Sequence, residues 1–364
     1  MKRRPGYLGF FAPFAALAVL LASCDSLKTA TLDGDAGAST EGGADGGAVD
    51  DASTLPESGF TIVHEVLEGG TLRALSVVGS EQVYTAGEDG VLLEKKTDGG
   101  WQKYRLGPGI NVTGIWSAGP TEALAVATLE NTNKGPIFRR ANGLWTQIGT
   151  APHGLRTVWG IDDVRYAGGN DGVIYSGPPT DPLRDGTQQP LPPNVPDTLF
   201  VPIVYSISGN SKTAVMAALD YDTTMFFDGT GTMWHTLQDP IDRTRSFRAM
   251  WGFPGPNTEI WQGANYYGLW QFTGSTDPVF QRNEEKEQPQ NANRWIWGIW
   301  GPSADKIVCV GDAGRIMTFD KASGRVTIQP SPTGKSLFAI GGTSLDDIWI
   351  VGEDQLILHG HLAF

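Results

Sequence analysis

Cysteine is almost absent from the 364 residues, with Cys24 and Cys309 as the whole supply, so no disulfide framework can hold the fold. Histidine is scarce too, with five. Positive charge runs short: 27 Lys and Arg stand against 40 Asp and Glu, a net charge of -13. That is the wrong sign for neutralising phosphates, which excludes nucleic acid as a partner class. Uninterrupted helix-forming stretches are missing, because 48 Gly and 23 Pro punctuate the chain; long helical architectures and helical solenoids are excluded. No paired-acid motif and no D-x-D-x-D-G loop is present, so neither a reaction nor a strong calcium site is indicated. What is there is a chain 40% hydrophobic with 12 Trp, enough for a substantial buried core.

The first residues read as an export signal, with Lys2, Arg3 and Arg4 ahead of an apolar run from Tyr7 to Leu21. Gly9 and Pro13 break the run, and the polar chain that follows makes it a signal rather than a membrane span. Leu21-Ala22-Ser23-Cys24 follows, and it resembles the lipobox of bacterial lipoproteins at all four positions. The resemblance implies cleavage after residue 23, lipid on the Cys24 thiol, and an anchor in the inner or outer membrane of a bacterial cell envelope, facing the periplasm or the exterior. Asp25 resembles the inner-membrane retention signal of enteric bacteria, and the leaflet stays open. Residues 24–57 then form a tether. Its 33 positions after Cys24 hold six Gly, six Ala and six Asp, no aromatic residue, and the single cation Lys28, a composition that cannot bury enough apolar surface to order itself. With Cys24 lipidated, Cys309 in its apolar run has no partner and reads as a small buried hydrophobe.

Residues 58–364 are periodic. Apolar pairs followed by Gly or Ser are centred on positions 78, 116, 159, 208, 251, 300 and 341, about one every 44 residues. Each leads to a second apolar run, such as Ile307-Val308-Cys309-Val310-Gly311, then to a Gly-rich turn such as Gly87-Glu88-Asp89-Gly90 and a third run. A fourth, where clear, carries Trp after a turn, as at Trp101, Trp145 and Trp234. Four short antiparallel strands per repeat predict an all-β fold, a seven-bladed β-propeller. The seventh unit runs out at Phe364 with three strands. The run Phe60 to Leu67 belongs to no other unit, so this N-terminal strand is expected to close the last blade as its outer strand.

Trp116-Ser117, Trp159-Gly160, Trp251-Gly252 and Trp300-Gly301, with their downstream strands, resemble the BNR or Asp-box-like propellers and the related photosystem II assembly-factor type, including the Trp-Gly variant of exported bacterial lipoproteins. The Asp-box itself is not kept. The segments at Asp98 and Asp228 hold Asp, Gly and Trp at other spacings, and no activity of those families is carried over.

Four sets of residues are candidates for a site. Arg73, Arg156, Arg248 and Arg294 stand near the starts of inner strands, but at five, three, three and six residues before the aligned position they read as strand-end residues rather than a convergent clamp. His359 and His361 share one strand face, with His64 expected on the neighbouring strand; three imidazoles could ligate Zn²⁺ or Cu²⁺, against the alternative of a polar terminal strand with incidental histidines. The turns between second and third strands, with Glu88, Asp89, Glu130, Asp171, Asp220, Asp222, Asp312, Glu353 and Asp354, should make one face acidic, either to attract cations or basic partners or simply because Asp makes turns. Tyr266 and Tyr267 take the place where other turns carry Asp and Gly, beside the long insertion 273–294. With nearby Trp270 they are candidates to stack on sugar rings or grip a peptide. The expectation is a lipid-tethered, non-catalytic binding or scaffolding module for a protein or glycan, without cofactor; the alternative is a glycan-cleaving hydrolase or lyase.

Overall fold

The computed structural model describes residues 59–181, 185–188, 202–220, 223–227, 229, 234–238, 247–253, 259–264, 268–273, 279–283 and 294–364. The lipobox, Cys24 and the tether lie outside them. Strand β1 is Gly59–His64, and the first blade is β2 (Leu72–Gly79), β3 (Gln82–Gly87), β4 (Val91–Lys95) and β5 (Trp101–Arg105). The next three blades are β6 (Ile110–Gly119), β7 (Glu122–Leu129), β8 (Gly135–Ala141) and β9 (Leu144–Ala151); β10 (Leu155–Ile161), β11 (Val164–Gly169), β12 (Val173–Gly177) and β13 (Asp185–Gln188); and β14 (Val204–Ser211), β15 (Ala214–Leu219), β16 (Thr223–Phe227) and β17 (His235–Gln238). There follow β18 (Phe247–Phe253), β19 (Glu259–Ala264), β20 (Leu269–Thr273) and β21 (Val279–Asn283), then β22 (Ile296–Ser303), β23 (Lys306–Gly311), β24 (Ile316–Asp320) and β25 (Arg325–Gln329). The chain ends in β26 (Leu337–Ser344), β27 (Asp347–Gly352) and β28 (Ile357–His361).

These strands pair into seven four-stranded antiparallel sheets, and the sheet β26-β27-β28 takes β1 as its fourth strand. Each inner strand packs on the inner strand of the next sheet, and β26 packs on β2. The fold is therefore an all-β propeller of four-stranded antiparallel blades.

Burial follows from this stacking. Second strands lie between neighbouring blades and are apolar on both faces, which is why β15, AVMAAL, is buried at every position and β23, KIVCVG, at all but its first. Outer strands such as β5 and β25 are mostly half-buried or exposed, and their sequences are polar accordingly. Cys309 lies inside this layer, 2% exposed, and burial pushes its thiol pKa up, as expected of an inert small hydrophobe.

The Trp-Gly repeat has a packing cause. A Cβ placed on Gly160 would stand 3.0 Å from the ring of Trp116 in the preceding blade; Gly209 meets Trp159 at 3.1 Å and Gly342 meets Trp300 at 3.1 Å in the same way. The Trp of one blade thus occupies the space that the next blade leaves by carrying Gly, and the repeat records a seam between blades rather than a ligand site.

Two features of the repeat differ from the sequence reading. In the first blade Ser76 faces Tyr84 across β2 and β3 just as Trp159 faces Tyr166 across β10 and β11, so the equivalent position is Ser76 and not Val78. The apolar pair before Gly79 imitates the pattern at the strand's end, where Ser has replaced the diagnostic Trp. The stretch 273–294 is not simply an insertion either, because it contains β21, the outer strand of its blade; β13 occupies the same role within the proline-rich stretch 178–202.

Candidate functional site

All seven inner strands slip register once near their start, and the slip leaves one residue opposite no partner. These residues are Arg73 in β2, Thr113 in β6, Arg156 in β10 and Tyr205 in β14. Arg248 in β18, Trp297 in β22 and Phe338 in β26 complete the set. A β-bulge re-aims the side chain it displaces. Here it turns all seven toward the axis, where they line one cavity of about 460 Å³ together with Glu88, Asn111 and Thr128. The cavity is continuous with the axial channel, about 330 Å³, which several of the same side chains also line.

This crown is basic and aromatic. The Arg248 guanidinium lies 3.6 Å from the centre of the Tyr205 ring and 4.6 Å from that of Trp295, and Arg73 lies 4.7 Å from that of Phe338. Trp297 stacks on Trp295 with centroids 5.6 Å apart and tilts on Phe338 at 5.5 Å. Such contacts hold planar guanidinium groups against ring faces while leaving their N–H groups available for acceptors. The three guanidiniums also feel one another. Burial, then the positive charge of Arg73, hold Arg156 below the usual arginine range, against an opposing pull from Asp220. Burial, then Arg156, bring Arg248 down to about 10. Like charges gathered in a half-buried cavity would be relieved by an anion.

The acidic turns open on the same end, and most of their work is internal. Glu88 accepts the backbone N–H of Thr71 at 3.0 Å and the Arg73 guanidinium at 2.8 Å. Burial pushes its carboxyl up, but those two donors outweigh it and hold the group below the usual carboxylate range. Asp312 accepts the N–H of Trp295 at 2.8 Å and the indole of Trp297 at 2.6 Å, and Glu353 accepts the N–H of Ser336 at 3.0 Å. The carboxylate of Asp220 stands 3.5 Å from Arg248. Glu88, Asp312 and Glu353 thus staple the start of the inner strand to the end of the second strand in three blades, the internal work that turn chemistry gives such acids.

The structure therefore corrects the reading of the arginines. Arg73, Arg156 and Arg248 share the crown, and Arg294, three residues before the bulge of its blade, does not line it. The misaligned first blade concealed this, since the offset of Arg73 from Ser76 is three, the same as for Arg156 and Arg248. Tyr205, Trp297 and Phe338 also stand three residues before their aligned positions, and this common offset was the sequence signal for the crown.

Other candidates are placed differently. His64 lies on the strand beside β28, but opposite Ile357, while His361 is opposite Gly59 at the other end of the pairing. His359 is committed to the Asp347 carboxylate at 3.0 Å and stacks on Trp349 at 4.0 Å, and His64 tilts against Trp101. No group of three metal-ligating side chains occurs among the described residues. Tyr266 and Tyr267 lie outside the described residues; Trp270 is on β20, its backbone paired with Gln262 and Arg282.

No family model matches the chain, and no curated protein matches it either. Solved structures do. A structure described as YCF48 bound to D1 peptide superposes with a TM-score of 0.62 at 13% identity, covering 85% of this chain and 99% of that one. YCF48 from Cyanidioschyzon merolae gives 0.64 at 14% identity, covering 83% and 98%. The WD40 propeller domain of Doa1 gives 0.62 at 13%, covering 84% and 98%. At these identities the likeness is one of fold: the chain is similar to propellers of the photosystem II assembly-factor and WD40 kinds.

Proposed function

We propose that this chain is a non-catalytic binding module, a seven-bladed propeller of residues 58–364 that receives a polypeptide at the axial crown. The observation that carries the reading is the convergence of Arg73, Arg156 and Arg248 with Tyr205, Trp297 and Phe338 on one cavity. Arg and aromatic side chains are the anchors that dominate protein recognition, and a rigid ring presents them without ordering cost. A structural neighbour of like fold is described as bound to a peptide. The pair Tyr266 and Tyr267, in the sequence between β19 and β20, stays a second candidate contact for the partner. A glycan-cleaving enzyme would need a carboxylic acid kept protonated beside a second carboxylate. Glu88, the carboxyl lining this cavity, is instead held ionised by Thr71 and Arg73, which favours binding over catalysis.

Arg248→Glu should abolish capture of the partner by the exported chain in a pulldown read by mass spectrometry, while leaving its thermal midpoint within a few degrees. Unchanged capture would remove the crown from the reading. The same proposal places the propeller in the bacterial envelope, on the lipid anchor that Leu21-Ala22-Ser23-Cys24 implies for a chain cut before Cys24, with residues 24–57 as its tether. Cys24→Ser should move the protein from the detergent phase to the aqueous phase, and equal partitioning of the two forms would refute the anchor.

A further inference from the structure

In six blades one position recurs at the crown's rim: the residue after the second strand, whose backbone N–H donates to the start of the inner strand. Glu88 donates to Thr71 at 3.0 Å, Glu130 to Gly109 at 2.8 Å, Asn170 to Gly154 at 2.8 Å, Asp220 to Ile203 at 3.3 Å, Asp312 to Trp295 at 3.3 Å and Glu353 to Ser336 at 3.1 Å. Five of these six are carboxylates and the amide among them is Asn170; the corresponding residue of the remaining blade, Asn265, lies outside the described residues. Asn170 stands beside Arg156, whose Nε donates to its Oδ1 at 3.1 Å. Arg73 has the carboxylate of Glu88, and Arg248 has that of Asp220, which also pulls on Arg156. Asp171, the next carboxylate along, is taken by His153 at 2.7 Å and by Asn133. Among the described residues these three guanidiniums thus share two carboxylates, and the buried Nε of Arg248 has no hydrogen-bond partner there.

We infer that the crown is a receptor for one carboxylate, held by Arg156 where its neighbour is the neutral Asn170 in place of a carboxylate, with an apolar or aromatic group of the same ligand lodged against Tyr205, Trp297 and Phe338. Three guanidiniums against two carboxylates among the described residues call for a monoanion. A phosphate dianion would bring a second negative charge up to Glu88 and Asp220, whereas a carboxylate matches the planar fork of a guanidinium. The inference rests on the axial binding proposed above and adds the chemistry of the ligand: a peptide carboxylate, from a chain end or an acidic side chain, next to an aromatic residue.

Titration of the full chain with benzoate, benzamide and inorganic phosphate, followed by tryptophan fluorescence, tests this without knowledge of the partner. Benzoate should bind roughly tenfold or more tightly than benzamide, a difference of the size expected for a charge-assisted pair, and phosphate more weakly than benzoate. Asn170→Asp supplies the acid that five other blades carry at this place, so it should fold as the parent does and lose benzoate binding by a similar factor. Arg156→Gln should do the same, with partial recovery in Arg156→Lys. N-acetylglycylphenylalanine, its C-terminal amide and N-acetylaspartylphenylalanine amide then tell a chain end from a side chain, and preference for either acid over the neutral amide supports the inference. Equal binding of benzoate and benzamide, tighter binding of phosphate, tighter binding of glucuronate than of both acidic peptides, or an Asn170→Asp protein that binds benzoate like the parent would each overturn it. Loss of partner capture in Arg248→Glu alongside absent benzoate binding would sink the carboxylate and spare the axial reading.

Discussion

Deleting residues 58–68 is expected to abolish cooperative unfolding near the parent's midpoint and to leave a protein that aggregates at concentrations where the parent is stable. β1 supplies the outer strand of the last blade, with Phe60 opposite Gly360, Thr61 opposite His359 and Ile62 opposite Leu358. Its ring side chain Phe60 is only 9% exposed and packs into the cluster that includes Leu358 and Ile350. Losing a buried Phe alone costs about 3–5 kcal/mol, against a total stability on the order of 5–15 kcal/mol. The chain after β1 is tied down as well, by the Val66 N–H donating to Asp354 at 2.9 Å and by the Lys335 ammonium between Glu65 and Asp354. Without β1, β28 would show a row of unpaired backbone groups, which is a template for association. Urea titration followed by near-UV circular dichroism reads the first effect and light scattering the second. Phe60→Ala, which keeps the strand, should fall between the two. A deletion protein that melts like the parent would mean that the last blade does not depend on this strand.

Closure was legible in the sequence because it follows from counting: a final unit one strand short, and one apolar run unclaimed at the other end. The blades were legible for a related reason, since second strands buried on both faces read as unbroken apolar runs such as Ile348 to Val351. The crown was not. Its residues are three Arg and one each of Thr, Tyr, Trp and Phe, so no single residue type marks the position in every blade; what repeats in all of them is a backbone slip, and a bulge leaves no mark on hydrophobic periodicity. A two-residue misalignment at Ser76 was enough to set Arg73 apart from Arg156 and Arg248, with which the fold brings it together. The tyrosine pair departs visibly from the turn pattern, whereas Asn170, which stands where five other blades carry a carboxylate, reads in sequence as one more polar turn residue. Its meaning depends on Arg156, fourteen residues earlier, and only the pairing of Leu155 with Gly169 sets the two side by side.

Gly87→Ala is expected to be among the most damaging single changes in the first blade, at about 3 kcal/mol or more, as for other overpacked positions where backbone must move. Gly87 ends β3, and a methyl placed on it would stand 1.8 Å from the carbonyl oxygen of Thr71 and 2.8 Å from the Cα of Leu72. Neither is a side chain that can turn aside. The two strands would have to part where the Glu88 N–H donates to Thr71 at 3.0 Å and the Glu88 carboxylate accepts the Thr71 N–H at 3.0 Å. Gly169 and Gly352 are equivalent, with clashes at 2.0 Å and 2.4 Å against the carbonyls of Gly154 and Ser336, so in these blades the glycine before the turn residue is a requirement of close backbone approach. Gly79→Ala is the matched control: nothing lies within 4 Å of its added methyl, and its thermal midpoint should equal the parent's or rise slightly. The damaging substitution should also reach the site, because parting β3 from β2 withdraws Glu88 from Arg73 at 2.8 Å and adds a second uncompensated guanidinium to the crown. Where enough Gly87→Ala protein folds to be titrated, it should therefore discriminate against phosphate less than the parent does. A Gly87→Ala chain that melts like the parent and keeps the parent's preference for benzoate would show that the clasp between Thr71 and Glu88 neither holds the blade nor sets the charge of the crown.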